Sequence, residues 1–277
     1  MYSEEKITDP YTGPELLDAL EKPEKIHKVV QEAILLAGGA VAILLQIAEP
    51  GVAQGVDNHS NFAYRPLDRL RTTMTYVYCV TFGTREEKKA VIEMAHRAHA
   101  SVNGPGYSAD DPQLQLWVAA TLYAVGIELY QGMFGMFEDA DAEAIYREYS
   151  VLALSLRVTP DMWPPNQKEF WKYWDNQIAT MVVTDNAKSV AKDLLRNEEA
   201  PLQIRLLLPL VRLMTAQMLP DRLRQAYGLR TSKVRRTTYR FIMGLTRATY
   251  PCLPKTIRTY PMKYYMRDMR RRLENAA

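Results

Sequence analysis

Imidazole and thiol chemistry is scarce in this chain: four histidines and two cysteines in 277 residues. Two of the histidines, His96 and His99, lie three apart in residues 86–108, EEKKAVIEMAHRAHASVNGPGYS. At about 100° per residue, Val91, Ile92, Ala95, Ala98 and Val102 fall within about a third of a helical cylinder. His99 lies inside that arc and His96 at its edge, while Glu93 and Arg97 project from the other side. An imidazole facing an apolar interior needs a partner for at least one ring nitrogen, because an unpaired buried polar group costs about 1–3 kcal/mol. The partner is either a protein carbonyl, the ordinary fate of a core histidine, or a metal. A closed zinc site needs four ligands and a catalytic one three. The remaining candidates, His27, His59, Cys79 and Cys252, are scattered. Haem iron asks the protein for a single axial histidine, so the short supply favours haem over zinc.

A second group with chemical potential precedes the histidine helix. In PLDRLRTTMTYVYCVTF, residues 66–82, Arg69, Thr73, Tyr76 and Val80 recur at helical spacing. They place an arginine and a threonine on a face that turns apolar one turn later. An arginine drawn toward a core usually meets an anion there, and a surface salt bridge is the simpler alternative.

The elements that must carry these residues read as helices. Pro66 suits a first helical turn, Gly83 ends that helix, and Asn103, Gly104 and Pro105 end the histidine helix. Residues 24–48 read as one long helix, apolar on every side in its second half, where Gly38 and Gly39 would admit a neighbouring helix or a flat ligand. The following EPGVAQGVDNHSNFAYRP, with His59, reads as a loop with one helical turn. A second buried helix follows Pro112, and amphipathic helices are predicted over 139–155, 166–181, 184–196, 202–218, 221–227 and 232–249. Pro209 should kink or divide the fifth of these seven. Met133, Phe134, Met136 and Phe137 are candidates for lining an apolar tunnel or, more plainly, core. No strand-length alternation, phosphate-binding glycine loop, serine-hydrolase elbow or paired CxxC occurs. The expected fold is therefore all-α, a single helical domain over 1–277, with an N-terminal arm (1–23) and a basic C-terminal arm (250–277).

Two separated cysteines and an N-terminus without a secretory pattern point to a reducing, intracellular, cytoplasmic setting. The apolar run 33–48 is shorter than a membrane span. Net charge is only +3, but the charges are segregated: from Arg205 onward there are 17 basic against 3 acidic residues, and before it 18 against 29. Such a basic end suits nucleic acid, an anionic membrane or the chain's own acidic half, and the last is preferred, with peripheral membrane contact as the alternative and no nucleic-acid role expected.

Three passages, AEPGVAQGVDNHSNF, RPLDRLRTTMTYVYCVTFG and AHRAHASVNGPGYSADDPQLQLWVAATL, together resemble a known catalytic domain. It is shared by rubber oxygenase (latex clearing protein) and by the ER-bound oxygenase that shortens an isoprenoid side chain in fungal mycophenolic acid synthesis. The likeness is closest over residues 33–122 and weaker through LRVTPDMWP and MLPDRLRQAYGL. It implies a globin-like helical core around a buried haem b, with His99 matching the proximal iron ligand and His96 its neighbouring histidine. His59 falls in the first matching passage and is carried as a further cofactor-contacting candidate. Arg69 and Thr73 match an Arg-x-x-x-Thr pattern beside the haem. In the rubber enzyme a lysine stands immediately before that threonine, on the oxygen side; here the position is Thr72. The family often reads Trp-Val-His-Ala-Thr-Leu where this chain has WVAATL, so Ala119 removes a second histidine from the pocket. The function implied is a haem b-dependent oxygenase taking O2 and a lipophilic, isoprenoid- or polyketide-like molecule, with oxidative alkene cleavage in specialised metabolism. A haem- or lipophile-binding protein, or a rearrangement enzyme, is the alternative that Ala119 motivates.

Overall fold

The computed structural model describes residues 23–59, 66–197 and 201–275, without the side chains of 66–69. The helices are α1 (Ile26–Val30), α2 (Gly39–Gln46), α3 (Pro50–His59), α4 (Pro66–Phe82), α5 (Arg85–Ala100), α6 (Pro112–Phe134), α7 (Asp139–Tyr149), α8 (Val151–Leu154), α9 (Gln167–Thr180), α10 (Asp185–Leu195), α11 (Leu202–Met218), α12 (Asp221–Ala226), α13 (Lys233–Thr249), α14 (Lys255–Arg258) and α15 (Tyr260–Glu274). Two 3-10 turns, Ala33–Gly38 and Tyr250–Cys252, join them. The only strands among the described residues are the two-residue pair β1 (Asn103–Gly104) and β2 (Tyr107–Ser108), antiparallel, so the all-α expectation holds. No single described helix is long and apolar enough to cross a membrane; the bent pair 33–46 and 50–59 passes the test of length and composition only jointly, across a 110° bend.

α6 is the axis of the molecule. Its side chains are buried around most of the circumference, from Gln115 and Leu116 to Leu129 and Met133, with Glu128 exposed. Asp111 caps it, Oδ1 accepting from the Gln113 amide at 2.8 Å, with Pro112 in the first turn where no amide is needed. Gly38 lies against it: a methyl group there would stand 2.5 Å from Val125 Cγ1 and 2.6 Å from Leu129 Cδ1, so this glycine admits a helix rather than a ligand. Around Tyr123 an aromatic cluster of Tyr146, Tyr149 and Phe170 meets edge to face at centroid separations of 4.8–5.2 Å, a geometry the ring quadrupole favours.

Three sequence expectations change. The single helix over 24–48 is three pieces, because Glu32 is extended (ψ 124°) and turns its carboxylate inward. There it accepts from Tyr250 Oη at 2.9 Å and Arg258 Nη1 at 2.6 Å. The supposed loop after it is largely the ten-residue helix α3; glycines at 51 and 55 argued against helix locally, but packing on α10 and β2 outweighs propensity. Pro209 lies inside α11 and does not divide it.

Residues 250–275 form α14 and α15 and lie against the body of the protein. Asp268 of α15, buried, takes a bidentate grip from Arg71 of α4 (Nε to Oδ2 2.8 Å, Nη2 to Oδ1 2.6 Å), and Arg270 reaches Glu87 of α5 at 2.7 Å. Arg71 foremost, with Arg271 and Arg272, holds the Asp268 carboxyl below the usual carboxylate range. A depressed value means that the pair stabilises fully above the unfolded-state value of about 4 and loses its contribution as pH falls through the native value. Hydrogen exchange should therefore show α15 amides losing protection below about pH 4 before the core does. Asp268→Asn should show that loss already at pH 7; equal protection in the variant would contradict the assignment.

Candidate functional site

The α4–α5 hairpin turns through Gly83 and Thr84, with a capping box in which Thr84 Oγ1 accepts from the Glu87 amide and Glu87 Oε2 accepts from the Thr84 amide. Counting back from that turn at about 1.5 Å per residue, Arg69 and His99 both lie about 20 Å from it. The hairpin thus brings the arginine–threonine turn and the second histidine to the same level. The Arg69 side chain lies outside the described residues. Thr72 and Thr73 are exposed, as are Ala98 and Ala100 on either side of His99, while His99 and His96 are half-buried. The deep burial expected for His99 is not reached: Val91 and Ile92 enter the core, but the last turn of α5 runs out past it.

Behind His99 stands Gln115 of α6, almost fully buried and not singled out by the sequence. Its Oε1 accepts from the Arg157 amide at 2.6 Å and its Nε2 donates to the Ala109 carbonyl at 2.7 Å, which fixes the carboxamide orientation. The second Nε2 proton is then directed at His99 Nδ1, 3.3 Å away. That contact makes Nδ1 the acceptor and puts the neutral ring's proton on Nε2. Ligation of iron through Nε2 needs the opposite tautomer. The exchange sets Nδ1–H against the Gln115 N–H and leaves that buried proton without its acceptor, a cost of about 1–3 kcal/mol. Ala119, buried, lies one turn further along α6 on the same side as Gln115, so the family's second histidine would stand directly beyond this carboxamide.

Ser155, fully buried after α8, ties the other residues together. Its hydroxyl lies 2.6 Å from Tyr76 Oη, which also donates to the Leu152 carbonyl at 2.8 Å, and its carbonyl lies 3.3 Å from His96 Nε2. Burial pushes the Tyr76 phenol well above its usual range, so it stays neutral. His96 is therefore held by main chain on the flank of the hairpin. His59, exposed at the end of α3, lies with Nε2 3.1 Å from Tyr107 Oη, which Asn58 also contacts. Tyr107 lies flat on Gly104, where an added Cβ would be 2.7 Å from its ring. His59 thus sits on the β-turn that follows α5.

The donor set suits a porphyrin better than a bare ion. Among the described residues no three His, Cys, Asp or Glu side chains gather to hold a metal. A haem brings four nitrogens of its own and needs one imidazole, which His99 offers at a partly open surface between Ala98 and Ala100. An apolar cavity of about 400 Å3 lies elsewhere, between α2, α6 and α9, lined by Leu45, Tyr123, Trp171 and Trp174, about 18 Å along α6 from Gln115. Glu128 lines it too, and desolvation raises its carboxyl above the ordinary range. Of the four tunnel candidates only Met136 borders this cavity. Met133 is core, Phe137 stacks on Tyr130 and Phe134 lies under the Arg258 guanidinium.

Residues 27–248 match the family described as the ER-bound oxygenase mpaB/B'/rubber oxygenase catalytic domain. The chain belongs to this family. It is also 28% identical over 241 residues, covering 83% of this chain and 94% of theirs, to the uncharacterized proteins Mb2261 of Mycobacterium bovis and Rv2237 of Mycobacterium tuberculosis. No solved structure matches. An oxygenase catalytic domain that takes O2 and a small molecule is the class of enzyme to which the membership assigns it.

The carboxamide at the back of the site gives a test of its structural part. Gln115→Leu strands the carbonyl of Ala109 and the amide of Arg157, both at half-buried residues, a loss of about 2 kcal/mol. It should lower the thermal midpoint by several degrees, about 2–4 °C per kcal/mol for a domain of this size. A midpoint equal to wild type would show that these bonds do not hold the site together.

Proposed function

We propose that the chain is a haem b-dependent oxygenase acting on a lipophilic small molecule, with oxidative cleavage of an alkene as the reaction. What supports the reading is membership of an oxygenase family, together with the helical-rise count that sets His99 and the start of the Arg69–Thr73 turn at a similar level along the α4–α5 hairpin. The rubber oxygenase named in the family description acts, by its name, on an isoprenoid polymer, which supports an apolar, unsaturated substrate. When bound, haem would supply iron redox chemistry towards dioxygen, which no side chain of the protein provides. His99 would hold it, after the proton on Nε2 has moved to Nδ1 and the contact with Gln115 Nε2 has been given up. His96, fixed by the Ser155 carbonyl, would hold the flank of α5 so that His99 keeps its direction. Thr73 would offer a hydroxyl, and Arg69 a permanent positive charge suited to a propionate. Thr72 replaces a cationic lysine by a neutral hydroxyl, so no charge is available at that position to orient a polar oxygen species. In the overall reaction one O2 is consumed per double bond and both atoms end in the two carbonyl products, so no external reductant is required.

A second reading, a haem- or lipophile-binding protein or a rearrangement enzyme without oxygen chemistry, is favoured by two observations. Ala119 leaves the position of the family's second histidine apolar and closed, and the apolar cavity lies away from His99.

Purified protein supplied with haem should show a Soret band, abolished or displaced in His99→Ala and retained in His96→Ala. With an isoprenoid alkene it should take up oxygen and yield carbonyl products. A Soret band without oxygen uptake would select the second reading. No Soret band after full haem supply would overturn both forms that hold haem.

A further inference from the structure

α13 carries two apolar stripes on opposite sides. At about 100° per residue, Tyr239, Ile242, Met243 and Thr246 cluster on one side, and these are its half-buried residues, facing the body of the protein against α6 and α11. Val234, Phe241 and Leu245 fall within about 40° of one another on the far side. They are 74%, 71% and 55% exposed. No residue of this 17-residue helix is fully buried. Between the two stripes, Lys233, Arg236, Arg240 and Arg247 form a third, basic face.

Its neighbour α11 repeats the arrangement. Leu208, Met214, Thr215 and Met218 are buried on one side, while Leu202, Leu206 and Leu210, at spacing i, i+4, i+8, are exposed on the other, Leu206 by 72%. Arg205 and Arg212 flank that second stripe. Neither helix contains an acidic residue.

The basic end of the chain thus divides in two. Cations at 258, 270, 271 and 272 are engaged by Glu32, Glu87 and Asp268. Among the described residues no carboxylate pairs with Lys233, Arg236, Arg240 or Arg247. Exposed leucine and phenylalanine beside unneutralised arginine is the composition of a helix that lies in a membrane interface.

We propose that the outward faces of α11 and α13 dock on an anionic bilayer surface, with Leu206 and Phe241 entering the headgroup–acyl boundary and Arg236 and Arg240 meeting lipid phosphates. Charge argues against a second copy as the occupant. A second copy seated symmetrically would set this uncompensated cationic face against itself, an arrangement that like-charge repulsion opposes. The first 22 residues, with six acidic and two basic side chains, are the competing occupant of suitable sign. The proposal stands independently of the haem reading.

The test is co-sedimentation of the full chain with phosphatidylcholine vesicles, with and without phosphatidylserine. Binding is expected only with phosphatidylserine and should weaken as salt rises. Phe241→Ser and Leu206→Ser, both at exposed positions and expected to melt like wild type, should each lower partitioning about tenfold. Arg236→Gln with Arg240→Gln should lower it more at low salt than at high. Absence of binding to phosphatidylserine vesicles overturns the proposal, as does binding indifferent to Phe241→Ser and Leu206→Ser. So does binding that appears only after residues 1–22 are deleted, which would assign the face to the chain's own N-terminus. A concentration-dependent dimer abolished by the same serine variants would assign it to a second copy.

Discussion

Burying most of the surface of α6 constrains the rest of the molecule. A helix exposed along one edge can leave polar side chains to water, whereas the polar side chains that α6 buries, Gln115 and Thr121 with the Trp117 indole, have to find protein partners. Trp117 donates to the Leu45 carbonyl at 2.9 Å, Thr121 shares its hydroxyl between the Val118 carbonyl and the Gln46 amide, and Gln115 is bonded at both ends of its carboxamide. These bonds fix where α2, the β2 turn and the segment after α8 can lie. The site inherits its geometry from them: Gln115 meets His99 because the same carboxamide must satisfy Ala109 and Arg157. The functional region is in this sense a by-product of satisfying a buried helix, and that is why its residues come from five separate stretches of chain.

The charge segregation has a similar logic. A basic C-terminal quarter and an acidic remainder attract at any separation, but only particular geometries can hold a carboxylate out of water. Glu32 achieves it by breaking its own helix and Asp268 by taking cations from α4 and α15. The consequence for the site is mechanical. Arg71 sits between Arg69 and the Thr72–Thr73 pair, so the grip of Asp268 on Arg71 braces the turn that carries the candidate catalytic groups. The basic tail is therefore a support for α4 as well as a source of surface charge.

How much of this was legible in the sequence depends on the length scale of the signal. Helices bounded by strong caps and an apolar stripe, such as α9, α10 and α13, are readable within a residue or two because the signal is local. The helix α3 was not, since PGVAQGVDNH is poor in helix formers and its stability comes from α10, far along the chain. The break at Glu32 was invisible for a related reason: its partners are Tyr250 and Arg258, more than 200 residues away. The resemblance named His99, Arg69, Thr72 and Thr73, but neither it nor periodicity could find Gln115 or Ser155. A buried glutamine and a serine have no sequence signature, and their role follows only from which backbone atoms they face. Periodicity also overstated the burial of His99, because the apolar arc of α5 continues in sequence through Ala98 after the core has ended.

Periodicity alone reports that a stripe is apolar and is silent on what lies against it. For α13 the pattern is satisfied twice, once by Tyr239, Ile242 and Met243 turned toward the protein and once by Val234, Phe241 and Leu245 turned away. A helix required only to close the fold needs the first stripe, and a soluble surface would place polar residues on the second. Exposed phenylalanine and leucine on the outer side work against solubility unless something apolar is available to receive them. The arginines beside them, which no carboxylate among the described residues neutralises, favour an anionic receiver. On the proposed docking, the same folding unit would face two apolar environments, its own core and an external one, with the cationic band between them.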